Sequence, residues 1–323
     1  MYSIKFEPVF KEKVWGGNKL AKYLSKDVSM DVKVGESWEI ACHREGTSKI
    51  RNGEYKGLTL EELIKHYGDI VFGKSIEKIT DRFPLLIKFI DANDKLSVQV
   101  HPDDEYAMKF EDDFGKTEMW YIVDAEPGAK LVYGLKKGIT KEDFIKAIEN
   151  NDFDEILREI EVKKGDVVFI PAGTIHAIGK GILIAEIQQS SDITYRVYDW
   201  NRVGLDGKPR ELHIEKALDV INFDEYIEKP KVESTILHKD GYKKVNYVSC
   251  KYFNIEILDV DKHYKNNMNE EEFEIYLCVD GEFNIEYGRA NLESFKKGET
   301  ILMPANIGDF IIKGKGRIIR VYL

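Results

Sequence analysis

The sequence predicts a mainly β protein of two β-barrels with a small inserted helical region, and three observations carry that expectation. Short runs rich in β-branched and aromatic residues recur along the chain, helical periodicity is confined to a few places, and one hairpin-sized segment occurs twice. The first helix is expected at about 59–67, where Thr59 stands three residues before Glu62 ahead of an amphipathic run, the pattern of a capping box. Strands follow at 85–90, 96–100 and 119–123. A second helix is expected at about 140–160, opened by Thr140 and Asp143 at the same spacing. Strands return at 167–170, 182–187, 253–258, 273–279 and 318–322, mostly bounded by Gly, Pro, Asn or Asp.

The repeat joins these elements into a plan. Lys163 to His176, KKGDVVFIPAGTIH, aligns without gaps on Lys296 to Asp309, KKGETILMPANIGD. A turn glycine, an apolar strand and a strand-ending proline make one hairpin unit, and its recurrence implies two homologous barrels. The second copy carries Asp309 where the first carries His176, so a metal held by the first is expected to be lost from the second. A charged, Pro-containing stretch at 223–235 marks the boundary. The expected domains are 1–228, a catalytic barrel with the helical insertions, and 229–323, a degenerate structural barrel.

Bulk properties narrow the function. A net charge of −10 argues against a nucleic-acid polyanion as partner, and a small anionic substrate would then need a local basic pocket. Cys42, Cys250 and Cys278 are odd in number and share no CxxC spacing, which argues against a disulfide framework or a thiolate zinc site. No run approaches the ~20 apolar residues of a membrane span, and the start has no signal-peptide core, so a cytoplasmic protein without membrane contact is expected.

Chemistry-bearing residues gather in a few motifs. In LSVQVHPDD, strand alternation puts Ser97, Gln99 and His101 on one face, although an isolated strand of this kind ordinarily turns such a face to solvent. Glu118 leads a strand two residues after Lys116, and His176 follows a Pro-Ala-Gly turn. Two imidazoles, a carboxylate and an amide oxygen from three strands make an open zinc site, with iron, manganese or cobalt allowed by the same donors. Lys88 sits inside an apolar strand, where a cation needs a partner or a bound anion, and with Ser97 and Lys116 it forms a candidate phosphate pocket. Asp192 and Arg196 stand four apart, a helical or wide-loop spacing. They read either as a surface ion pair or as an acid/base group beside a guanidinium that stabilises an oxyanion.

Together these pieces resemble the type I phosphomannose isomerases in their shorter bacterial form. The matching motifs are KVWGG, GESWEI, FPLLIKFIDANDKLSVQVHPDD, GKTEMWYIV, PAGTIHAI and SSDITYRVYDW, in family order across most of Lys13 to Trp200. The resemblance implies a pair of cupin-type jelly-roll barrels and a zinc-dependent interconversion of mannose 6-phosphate and fructose 6-phosphate through a cis-enediol. It implies Gln99, His101, Glu118 and His176 as ligands of one zinc ion, and Arg196, Lys116 and Asp192 as catalytic residues. Lys88, Ser97 and Lys116 would hold substrate oxygens, in a monomer or weak homodimer. The chain departs from many relatives by carrying Gly115 where they have a histidine, and it lacks room for the larger helical domain of longer members. The general base stays open among Asp192, Glu45, Lys116 and hydroxide on the metal. Rival readings are an isomerase of another sugar phosphate, a non-catalytic sugar-binding cupin, and an iron dioxygenase, the last disfavoured by a fourth protein ligand at Gln99.

Overall fold

Alternation along three neighbouring strands organises the N-terminal part. In the computed structural model, which describes residues 1–79, 82–224, 226–228, 231–232, 234 and 236–323, Leu85–Ala92, Glu118–Ala125 and Ile182–Gln189 lie side by side. Their odd residues Leu85, Ile87, Phe89, Met119, Tyr121, Leu183 and Ile187 enter one apolar cluster, while Ile90, Trp120, Ile122, Ile182 and Ile184 enter another. A strand apolar on both faces must be covered on both, and these are. The sheet is six-stranded among the described residues and is completed by Val167–Ile170, Val34–Ile40 and Val9–Gly17.

A five-stranded sheet covers the inner face: Leu157–Glu161, Lys130–Leu135, His176–Ile178, Val98–Val100 and Tyr195–Tyr198, in that order. Leu131, Tyr133 and Ile178 point into the space between the sheets, and Val98, Val100, Val132, Ala177, Tyr195 and Val197 point the other way, under the helices Lys141–Asn150 and Ile214–Val220. The outer face of the six-stranded sheet packs on the C-terminal sheet through Ile255, Ile257, Ile275, Leu277, Ile319 and Val321. The interior of the C-terminal unit is a separate cluster containing Leu258, Tyr276, Cys278, Phe283 and Ile318.

Both expected capping boxes form. Thr59 caps Leu60–Phe72 with Glu62, and Thr140 caps Lys141–Asn150 with Asp143. The helix expected over 140–160 ends at Asn150, however, because Asn151 takes a left-handed conformation, and Leu157–Glu161 pairs with Lys130–Leu135 as an edge strand. Tertiary pairing overrides local helix preference there, with Phe153 and Ile156 buried beneath the turn. Part of the expected boundary, residues 225, 229, 230, 233 and 235, lies outside the described residues. Ile4–Glu7 pairs with Thr300–Met303, so the start of the chain completes the C-terminal sheet. No helix among the described residues is long and apolar enough to cross a membrane.

The repeated segment adopts one geometry twice. Gly165 and Gly298 make the turns, both at positive φ, and the strands Val167–Ile170 and Thr300–Met303 occupy matching places in the two copies. Each pairs with a strand headed by glutamate, Ile170 opposite Glu118 and Met303 opposite Glu274. Further across, Lys88 faces Glu186 in the first unit and Glu256 faces Arg320 in the second, an ion pair of reversed polarity in the same place. Arg320 bridges Glu256 and Glu274, and Glu274 also accepts from Asn266 and Tyr276, so the second unit carries its cation as a side chain. Arg320→Met should therefore leave buried Glu274 without this cation, while Glu256 keeps Lys244 at 2.6 Å, and destabilise the protein by about 3–5 kcal/mol in urea unfolding. A loss below about 1 kcal/mol, the scale of an exposed pair, would show that the network is not holding the barrel.

Candidate active site

The site lies between the two sheets, where strand alternation turns polar residues inward. His101 follows Val98–Val100, His176 opens its own strand opposite Gln99, and Glu118 heads the neighbouring strand of the other sheet. His101 and Glu118 are 1% exposed and His176 is fully buried. Each imidazole is oriented by a carbonyl: His101 Nδ1 lies 2.7 Å from Ile193 O, and His176 Nδ1 lies 2.9 Å from Thr174 O. A carbonyl only accepts, so both Nδ1 atoms carry the proton and both Nε2 atoms present bare lone pairs.

Those lone pairs converge on Glu118. His101 Nε2 stands 3.7 Å from Oε2 and His176 Nε2 stands 3.3 Å from Oε1. Neither Glu118 oxygen nor His101 Nε2 has a hydrogen-bond partner. Buried acceptors aimed at one another are costly unless a cation lies between them. Donors about 2.1 Å from a tetrahedral ion stand about 3.4 Å apart, which is close to the separations found. Among the described residues, His101, Glu118 and His176 form the one group of such side chains able to hold an ion, with all ligand atoms within 4.8 Å. Burial, followed by the charge of Glu186, pushes the Glu118 carboxyl well above the usual carboxylate range, and burial holds His176 down at about 3. A bound cation would reverse the first effect, because it favours the carboxylate. The Gln99 amide nitrogen lies 3.3 Å from His176 Nε2, and a half-turn of the amide exchanges it for the oxygen a metal would take.

A cavity of about 260 Å³ opens beside this group and is lined by Lys88, Ser97, Gln99, Lys116, Asp192 and Arg196, so six of the residues singled out in the sequence face one space. Arg196 is not a helical neighbour of Asp192: it lies on Tyr195–Tyr198, paired with Gln99, while Asp192 is exposed in the preceding loop. Lys116 Nζ stands 3.6 Å from Glu118 Oε2. Lys88 is already engaged, 3.0 Å from Glu186 and 3.9 Å from Glu36, and these carboxylates hold its pKa up against the opposing effect of burial. Glu45 sits in the turn beside His43 and is not part of the lining.

Lys13, Glu36, Glu186 and Arg210 also line the cavity and were not singled out. Glu36 accepts from Trp38 Nε1 at 2.7 Å, and despite burial its neighbours Lys88 and Lys13 hold its carboxyl down at about 2. Arg210 and Arg202 share the Asp199 carboxylate, at 2.6 Å and 2.9 Å. The lining therefore has five cationic side chains against three carboxylates, in a chain whose net charge is −10.

A buried His-Glu-His group carried on the inner faces of a two-sheet β-sandwich, with a small basic cavity at its edge, defines a cupin with a candidate metal centre. The chain belongs to the type I phosphomannose isomerase family. Residues 3–145 match the model of the family's catalytic domain, and residues 243–323 match that of the mannose-6-phosphate isomerase cupin domain. Mannose-6-phosphate isomerase ManA of Bacillus subtilis is 40% identical over 319 residues, 98% of each chain. The mannose-6-phosphate isomerase of Streptococcus mutans is 39% identical over 324 residues, 97% of each. The crystal structure of a mannose 6-phosphate isomerase from Bacillus subtilis superposes with a TM-score of 0.93 at 36% identity, covering all of both chains.

Proposed function

We propose that this protein interconverts mannose 6-phosphate and fructose 6-phosphate, with one zinc ion held by Gln99, His101, Glu118 and His176. The observation that carries the reading is the set of unpartnered acceptors on His101 and Glu118 beside a basic cavity. Zinc, when bound, would supply a Lewis acid for the sugar's carbonyl and hydroxyl oxygens. Arg196 places a fixed positive charge where negative charge develops on those oxygens as the proton moves between C1 and C2. Of the candidates for moving that proton, Asp192 and Lys116 line the cavity and are assigned to it, whereas Glu45 is not part of the lining. Ser97 and Lys116 hold the phosphate or sugar oxygens, and Lys88 does so while fixing Glu186 and Glu36. We assign the enzyme to the cytoplasm, as a monomer or weak homodimer, with the C-terminal barrel structural and metal-free.

A coupled assay with mannose 6-phosphate tests this on protein as purified, after chelation and after zinc is returned. Activity should vanish with the chelator and return with zinc. Inactivity of the zinc-loaded protein would reject the assignment, and turnover of glucose 6-phosphate instead would move it to another sugar phosphate.

A further inference from the structure

Lys116 and Glu118 owe their places to the short segment that carries them, and that segment is pinned from outside the cavity. Three successive backbone N–H groups are each held by another part of the chain. Gly115 donates to Asp104 Oδ1 at 3.2 Å, Lys116 to the Pro102 carbonyl at 2.9 Å, and Thr117 to Gln189 Oε1 at 2.9 Å. Gln189 in turn donates from its side-chain nitrogen to Asp104 Oδ1 at 2.8 Å. Both neighbours of Lys116 are thus held through one carboxylate, directly or through one amide.

The other oxygen of that carboxylate faces the C-terminal barrel. Asp104 Oδ2 accepts from Tyr252 Oη at 2.9 Å and from Lys251 Nζ at 3.0 Å. Four donors match the acceptor sites of an ionised carboxylate, so its rotation is fixed from both sides. Gly115 shows how closely the pieces fit: a Cβ there would stand 2.4 Å from the backbone of Asp103 and Asp104. The segment therefore lies flush on the chain that leaves His101, with no room for a side chain.

We infer that Asp104, clamped by Tyr252 of the C-terminal barrel, is a positioning residue that sets Lys116 and Glu118 in register with His101. This rests on the reading that Lys116 and Glu118 act at the reacting sugar. It gives the C-terminal barrel a part in turnover beyond covering apolar surface.

The test uses full-length, zinc-loaded protein and four variants, Asp104→Ala, Asp104→Asn, Tyr252→Phe and Lys116→Met, each measured for kcat, KM, zinc content and Tm. A displacement near 1 Å in catalytic groups costs up to about 100-fold in rate. Asp104→Ala should lose about 30–100-fold in kcat with zinc retained and kcat falling more than KM rises, and Tyr252→Phe about 3–10-fold. Asp104→Asn keeps an oxygen for Gly115 and Gln189 and should recover most of the loss. Wild-type kcat in Asp104→Ala overturns the inference. If that variant does not fold, Tyr252→Phe decides, and an unchanged kcat there overturns it. Lys116→Met inactive beside unaffected Asp104 and Tyr252 variants rejects the positioning alone, whereas full activity of Lys116→Met removes the reading beneath it.

Discussion

Alanine at His101 or at His176 is expected to remove the metal ion and the turnover together. Each imidazole is buried, oriented by a carbonyl on its far nitrogen, and aimed at Glu118, so each supplies one of few donors. Replacing a residue that merely orients a ligand costs about 10–100-fold in metal affinity or activity, and loss of the ligand itself should exceed that. Metal analysis after gel filtration should find less than about a tenth of the wild-type content in either variant. Turnover should fall at least in proportion. Full zinc content and activity in either variant would mean that the ion sits elsewhere.

Arg196→Ala is expected to separate chemistry from metal binding. The guanidinium lines the cavity, and its Nη1 is fixed by the Glu211 carbonyl at 2.9 Å. A preorganised charge of this kind acts where negative charge develops, and its removal should lower kcat by about 10²–10³-fold with zinc retained and KM little changed. Arg196→Lys should recover only part, because an ammonium lacks the planar guanidinium whose Nη1 donates to the Glu211 carbonyl. An unchanged kcat, or a loss seen only in KM, would remove the arginine from the transition state.

Some of this site was legible in the sequence because strand alternation is strictly local. Ser97, Gln99 and His101 share a face by period alone, and the structure turns Ser97 and Gln99 to the cavity and His101 to Glu118. The repeat was legible for a similar reason, since a turn glycine, an alternating strand and a proline fix a hairpin without help from distant residues. The Lys88–Glu186–Glu36 network was not. Its members are ordinary residues on three strands, and their pairing depends on which strands become neighbours. The same limit explains Leu157–Glu161, whose local pattern continues a helix while the edge of the five-stranded sheet claims it. Asp192 and Arg196 were singled out at a spacing that means helix only if a helix is present, and there the chain runs from loop into strand.

The most direct test is anomalous diffraction at the zinc edge from crystals of active, zinc-loaded enzyme. One peak per chain is expected, about 2.0–2.2 Å from His101 Nε2, His176 Nε2 and a Glu118 oxygen. A peak beside Asp309 or Glu274, or none between the two sheets of the N-terminal barrel in crystals of active protein, would contradict the assignment of this site as the metal centre.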